Sequence, residues 1–167
     1  MERSEKKMFM LSATVETDIQ ADQSTTFMHI VPVDLTSIFR GYGPLPAVVG
    51  TQHQTGAWNA VGQTRTVLLS DGSSARELIT KYEYPHHFGY TVSDFTGVLR
   101  FLITSANGEW WFSSDVSSGK TNVEWRYAFT ERSILAVPIL WFIMKMLWYG
   151  YMDKALALCK VQIEKAT

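Results

Sequence analysis

Few side chains in this sequence combine reactive chemistry with neighbours that could use it. Glu77 is the foremost carboxylate. Facing an apolar interior, it would bind a ligand hydroxyl or amine, or act as a general base, because withdrawal from water raises a carboxyl's pKa. Facing outward, it would pair across strands with Arg65 or Arg76. The parity of its strand leaves both readings open, with the outward pairing preferred, and Arg65 is read in the same way as a surface residue first. His86 and His87 follow Pro85 at a strand junction. Adjacent side chains on extended chain diverge, so they read as a turn pair and not as convergent metal ligands. His29 and His53 have no partner nearby in sequence, and Cys159 reads as a small packing residue late in a helix. There is no nucleophile elbow, phosphate-binding loop or dinucleotide fingerprint; Gly41-Tyr42-Gly43 lacks the third glycine and the preceding strand. No metal and no cofactor are expected.

The elements that would position these residues follow a simple order. Residues 1–10 read as a flexible lead-in, and the apolar stretch from Met8 to Leu11 is too short for a secretory leader. LSATVETDI alternates as a first strand. Asp22 or Ser24 can cap a helix from Gln23 to Ile30, which Pro32 ends, and Asp34 can cap a second through Phe39. From Ala47 onward the pattern is β, with Asp71-Gly72 and Asn107-Gly108 read as hairpin turns. GVLRFLITSA and EWWFSSDVS are then strands on either side of the second turn. Arg132 to Lys165 is the one long helix. The fold class expected is α+β, ordered β-α-α-β6-α, with residues 11–167 forming a single domain.

Alternation shows which faces are apolar. Val123, Trp125, Tyr127 and Phe129 share one face of the last strand, as do Phe88, Tyr90 and Val92 on an earlier one; Trp110, Phe112 and Val116 share a side of a third. On the helix, Met144, Trp148 and Met152 recur every four residues, with Trp141 and Leu147 nearby. Such bulky, adaptable side chains against a curled sheet either fill a solid core or leave a ligand-sized gap.

Charge and composition exclude other classes. Fifteen basic residues against sixteen acidic ones give a net charge of −1, so no basic surface for nucleic acid is expected. A single cysteine excludes an internal disulfide framework and is compatible with a reducing, cytoplasmic setting. Ile134 to Tyr151 is apolar enough to raise the question of a membrane span. Lys145 near its middle, together with Pro138 and Gly150, favours a helix buried on most sides.

The order of Val61-Gly62-Gln63-Thr64-Arg65, Ser70-Asp71-Gly72, Arg76-Glu77-Leu78, Phe88-Gly89-Tyr90-Thr91-Val92 and the Thr121-x-Val123-x-Trp125-x-Tyr127 strand resembles the START-like, or SRPBCC, superfamily over residues 11–165. Within it, the chain is most similar to the polyketide cyclase/dehydrase branch. The resemblance implies a helix-grip fold, with a cavity between the curved sheet and the C-terminal helix. The lining positions would be Glu77, Tyr90, Val92, Trp125, Tyr127, Met144, Trp148 and Met152, and the 71–74 loop would stand at the mouth. The plant abscisic-acid receptors share this architecture, but their proline-containing gate motif and helix-side acidic and amide contacts are missing here, as is the acid/base set of an aromatising cyclase.

Three functions follow as expectations. The first is binding or carriage of a hydrophobic small molecule, lipid- or polyketide-like. The second is a cyclase/dehydrase-type enzyme in which Glu77 transfers protons with Tyr90 or Tyr127. The third is docking through the apolar helix 134–151, to a second copy of the chain or to a membrane surface.

Overall fold

The structure is a computed structural model and describes residues 10–167. The expected lead-in therefore lies outside the described residues, except for Met10, which already belongs to β1 (Met10–Ile19). Two short helices follow, α1 (Gln23–Ile30) and α2 (Leu35–Ile38). Asp22 caps the first by accepting from the Thr25 N–H at 3.0 Å, and Asp34 caps the second from the Thr36 N–H at 3.0 Å, as the sequence predicts. The remaining strands are β2 (Val48–Gln52), β3 (Thr64–Leu69), β4 (Ser74–Glu83), β5 (His87–Ser93), β6 (Ile103–Asp115) and β7 (Lys120–Glu131). They form one antiparallel sheet in the order β1-β7-β6-β5-β4-β3-β2. Register shifts in β2, β4 and β6 add the bends that curl it.

The C-terminal helix enters through a short 3-10 turn, Ile134–Ala136, and runs as α3 (Val137–Ile143), a π turn (Met144–Trp148) and α4 (Tyr149–Ala166). Pro138 sits in the first turn of α3, where its missing N–H has no helical acceptor to lose. Helix α4 packs on β1 and on both short helices. Met152, Ala155, Leu156, Cys159 and Ile163 are buried beneath it. By length and composition alone the helix could cross a bilayer. The α4 part is the gripped core helix, but the preceding part is not buried on most sides as expected: of Ile134 to Tyr151 only Ala136, Leu140, Met144 and Tyr151 are buried.

Two expectations are corrected. Asn107-Gly108 is not a hairpin: β6 runs unbroken through it, and residues 98–101, expected as strand, form a 3-10 turn. Gly108 lies opposite both Tyr90 and Tyr127 in the ladder, and a Cβ there would stand 2.3 Å from Cζ of Tyr90. The glycine makes room for a ring that crosses it and is not there to turn the chain. Asn107 accepts a hydrogen bond from Thr91 Oγ1 at 2.8 Å, which holds the same stretch in the sheet. The Asp71-Gly72 hairpin does form, with Gly72 at φ 81° and Asp71 Oδ1 accepting from the Ser73 N–H at 2.9 Å. The Ser73 hydroxyl also donates to Asp71, and this bond first, then the backbone one, lowers the Asp71 pKa. The inward faces of β5 and β7 are as expected. On β6 it is Trp110 and Phe112 that face inward, while Val116 lies beyond the strand and is exposed.

Candidate functional site

The concave face and the helix do not meet everywhere. Between them lies a hollow of 140 Å³. One wall is the sheet, contributing Val67, Ala75, Phe88, Val92 and Trp110; the opposite wall is Val31 and Val33 after α1, Leu35 and Ile38 of α2, and Trp148 and Tyr151 of the helix. A sheet seen from its concave side offers a broad apolar surface. One helix and two short ones cannot cover all of it, so a gap remains where neither reaches.

Two charges stand in this wall. Arg65 and Glu77 are direct cross-strand partners on β3 and β4, and both point inward, 7% and 8% exposed. Arg65 Nε donates to Glu77 Oε2 at 2.7 Å. The outward orientation preferred for both residues is therefore overturned, although the pairing itself is the one anticipated. The reason is visible along β4, where Ala75, Glu77 and Ile79 are buried and Leu78 is turned out. The parity that hides Ile79 hides Glu77 as well. The Arg65 guanidinium also lies over the Trp58 ring, 4.0 Å from its centroid, so its cationic face is screened by an aromatic while its edge meets the carboxylate.

Tyr90 and Tyr127 complete the polar part of the wall, with ring centroids 6.4 Å apart. Burial pushes the Tyr90 phenol well above its ordinary range, and the negative charge of Glu77 adds to the shift. Tyr127 is raised in the same direction by burial, then by Tyr90 and Glu77. Both hydroxyls are held protonated at neutral pH. Trp148 adds an indole N–H that is buried and, among the described residues, has no acceptor. Tyr151 donates to the Pro46 carbonyl at 2.6 Å, which ties the helix to the loop before β2.

Of the residues the resemblance placed on the lining, Glu77, Tyr90, Val92, Tyr127 and Trp148 reach the hollow. Trp125, Met144 and Met152 do not. Trp125 is wholly buried to one side of the hollow, on the same sheet face as its cross-strand partner Trp110 and stacked on it with centroids 4.3 Å apart, and the two methionines are packed in the core beneath the helix. Trp141 is turned to solvent, off the stripe assumed for it. The π turn at Met144–Trp148 inserts an extra residue into the winding, so a straight four-residue spacing misplaces what precedes it. The 71–74 loop lies between two lining residues, Leu69 and Ala75. The lining contributed by α2 and by Phe39, Leu45 and Pro46 was missed, because apolar residues in short capped helices and Pro/Gly turns carry no periodic signal.

The remaining candidates stand apart. His87 pairs with Glu109 and stacks on Trp111, and His86 meets Gln23, with Nδ1 2.8 Å from Gln23 Nε2. Among the described residues no three of His, Cys, Asp and Glu converge as metal ligands. Cys159 is buried, and that burial pushes its thiol up to about 12, so it is inert at neutral pH.

Gly108 gives a direct test of the wall. A Gly108→Ala substitution is expected to force the Tyr90 phenol into the hollow and lower stability by about 1–3 kcal/mol, as overpacking does. Chemical denaturation measures the loss, and a Gly108→Ala, Tyr90→Phe variant is expected to recover part of it.

Comparison with known proteins agrees with this geometry. Solved structures with the same fold include norcoclaurine synthase of Thalictrum flavum in complex with a transition-state analogue (TM-score 0.69, 10% identity, 96% of this chain and 98% of that one). They also include Ara h 8.0201 (0.66, 16%, 95% and 97%) and ginseng major latex-like protein 151 of Panax ginseng (0.66, 12%, 92% and 97%). No curated protein sequence matches the chain. A family model described as polyketide cyclase/dehydrase and lipid transport matches residues 10–164, nearly the whole chain. With its seven-stranded curved sheet closed on a long C-terminal helix, this chain belongs to that family.

Proposed function

We propose that this protein binds an apolar small molecule carrying a single oxygen function. The observation that carries the reading is the 140 Å³ hollow, apolar on nearly every side, with a buried Arg65–Glu77 pair set into one wall. An apolar cavity of about 150 Å³ accepts a molecule the size of benzene, so the closed form suits one ring or a short acyl chain. Developed ligand sites run to about 300–1,000 Å³, and a larger lipid or polyketide would have to part the α2 segment from the sheet. The two protonated phenols offer hydrogen bonds to the ligand's oxygen.

The test is thermal unfolding of delipidated protein against a panel of small aromatic and short-chain alcohols, ketones and acids. A ligand specific for the folded state at a hundred times its Kd adds about 2.7 kcal/mol, so the Tm should rise with concentration. No rise with any member would remove the proposal. Native mass spectrometry of freshly purified protein, followed by extraction, is expected to find a molecule of this class.

Proton-transfer catalysis is the second reading, favoured by the inward Glu77, which it requires. Against it, Glu77 already accepts from Arg65, and phenols raised above their ordinary range are poor bases near neutrality. Under the enzyme reading, Glu77→Gln would abolish turnover of a bound polyketide-like substrate; under the binding reading, it alters affinity alone.

A further inference from the structure

Among the described residues, nothing covers the first half of the C-terminal helix. Leu135, Ile139, Phe142, Met146 and Tyr149 recur every three to four residues and are all at least half exposed, with Ile134 and Trp141 widening the strip. Their shared exposure makes them one broad apolar arc that runs from the 3-10 start through the π turn. The surface continues off the helix. Arg132 donates its backbone N–H to the Leu102 carbonyl at 2.8 Å and its Nε to the Arg100 carbonyl at 2.7 Å. This sets the 98–101 turn beside the helix start and adds Val98 and Phe101, 76% and 63% exposed. Contiguous apolar surface on this scale marks an interaction site.

The exposed charges on this face are mostly cationic. Lys145 is the only charged residue from Ile134 to Tyr151 and falls inside the apolar arc. Arg132 and Arg100 are exposed at its end, the Arg100 guanidinium lying 4.6 Å from the Phe101 ring centroid. Two acids flank the strip: Glu131, before it, is half-buried, and Asp153, four residues after Tyr149, is exposed at its far end, so three cations face one acid.

We propose that this face docks on an anionic bilayer surface. Its apolar and aromatic side chains would sit at the boundary of headgroups and acyl chains, with Arg100, Arg132 and Lys145 against lipid phosphates. Charge complementarity selects this occupant. A second copy fits less well, because the arc is wider than a two-helix seam and Lys145 would be desolvated within it. At a bilayer, the lysine stem lies along the apolar surface and its ammonium reaches the headgroups. The face also adjoins the cavity, since Leu99, between Val98 and Phe101, is one of the lining residues. Docking itself does not depend on the cavity being loaded.

Co-sedimentation with vesicles of phosphatidylcholine alone, and with phosphatidylserine added, tests the proposal. The protein is expected to pellet with the anionic vesicles and to be released by salt. Lys145→Gln should weaken that binding by about fivefold, and Leu135→Asp with Phe142→Asp should abolish it while circular dichroism stays unchanged. Three results would each overturn the proposal: wild-type protein left in the supernatant with both vesicle types; binding that survives the double aspartate variant; or a dimer in solution that the same variant dissociates, with no vesicle binding.

Discussion

Glu77→Leu alone is expected to destabilise the protein by about 3–5 kcal/mol, whereas Glu77→Leu combined with Arg65→Met should return it to within about 1–2 kcal/mol of the wild type. The asymmetry follows from burial. Arg65 and Glu77 are about one-tenth exposed or less, and their attraction at 2.7 Å roughly repays the cost of taking both from water. Removing the carboxylate leaves a buried guanidinium without its anion, stacked on the Trp58 ring. Removing both leaves apolar groups of similar volume in an apolar wall. Urea unfolding of the two single variants and the double variant, at unchanged m, gives the coupling energy directly. A Glu77→Leu variant as stable as the wild type would show that the pair is not buried as described. The double variant also isolates function, because it keeps the hollow while removing its charges. It should still bind a purely apolar ligand and should bind an oxygen-bearing one less tightly than the wild type.

How much of this was legible depended on whether a signal was local. The caps at Asp22 and Asp34 concern side chains and N–H groups two or three residues apart, and both were readable. So was the alternation that buries Val123, Trp125 and Phe129 and turns Arg126 outward, because a strand's faces follow from its period of two. Gly108 was misread because Asn-Gly is a turn signal only when nothing distant needs the space, and here the ring of Tyr90 from the neighbouring strand does. Glu77 was undecidable for a related reason. A charged residue on an apolar face breaks the alternation, and only the partner on β3 explains why it is tolerated. Trp125, Met144 and Met152 were rightly seen as apolar and inward, yet sequence carries no measure of depth. Whether an inward residue touches a hollow or stands beside it is settled by what packs over it, here the rings of Trp110, Tyr127 and Phe39 around Trp125.

That packing around Trp125 gives the second large effect. Trp125→Ala is expected to cost about 3–5 kcal/mol, the range for truncating a buried aromatic, and to enlarge the hollow as well. Trp125 is fully buried, stacks on Trp110 at 4.3 Å and meets the rings of Phe39 and Tyr127 edge-on at 5.9 and 6.4 Å. All three of those neighbours line the hollow. They are held on the sheet and at the start of the loop before β2, so they cannot close fully over the missing indole, and the void left behind should join the existing one. Ligand preference should then shift toward molecules one ring larger. Such a ligand at a hundred times its Kd would restore about 2.7 kcal/mol of the lost stability, a rescue that the wild-type protein, lacking the space, should not show. Trp125→Phe retains most of the wall and should lose less stability with little change in preference. If Trp125→Ala loses the predicted stability yet keeps the wild-type order of ligand preference, the residue supports the fold alone, and the depth of the site ends at Trp110.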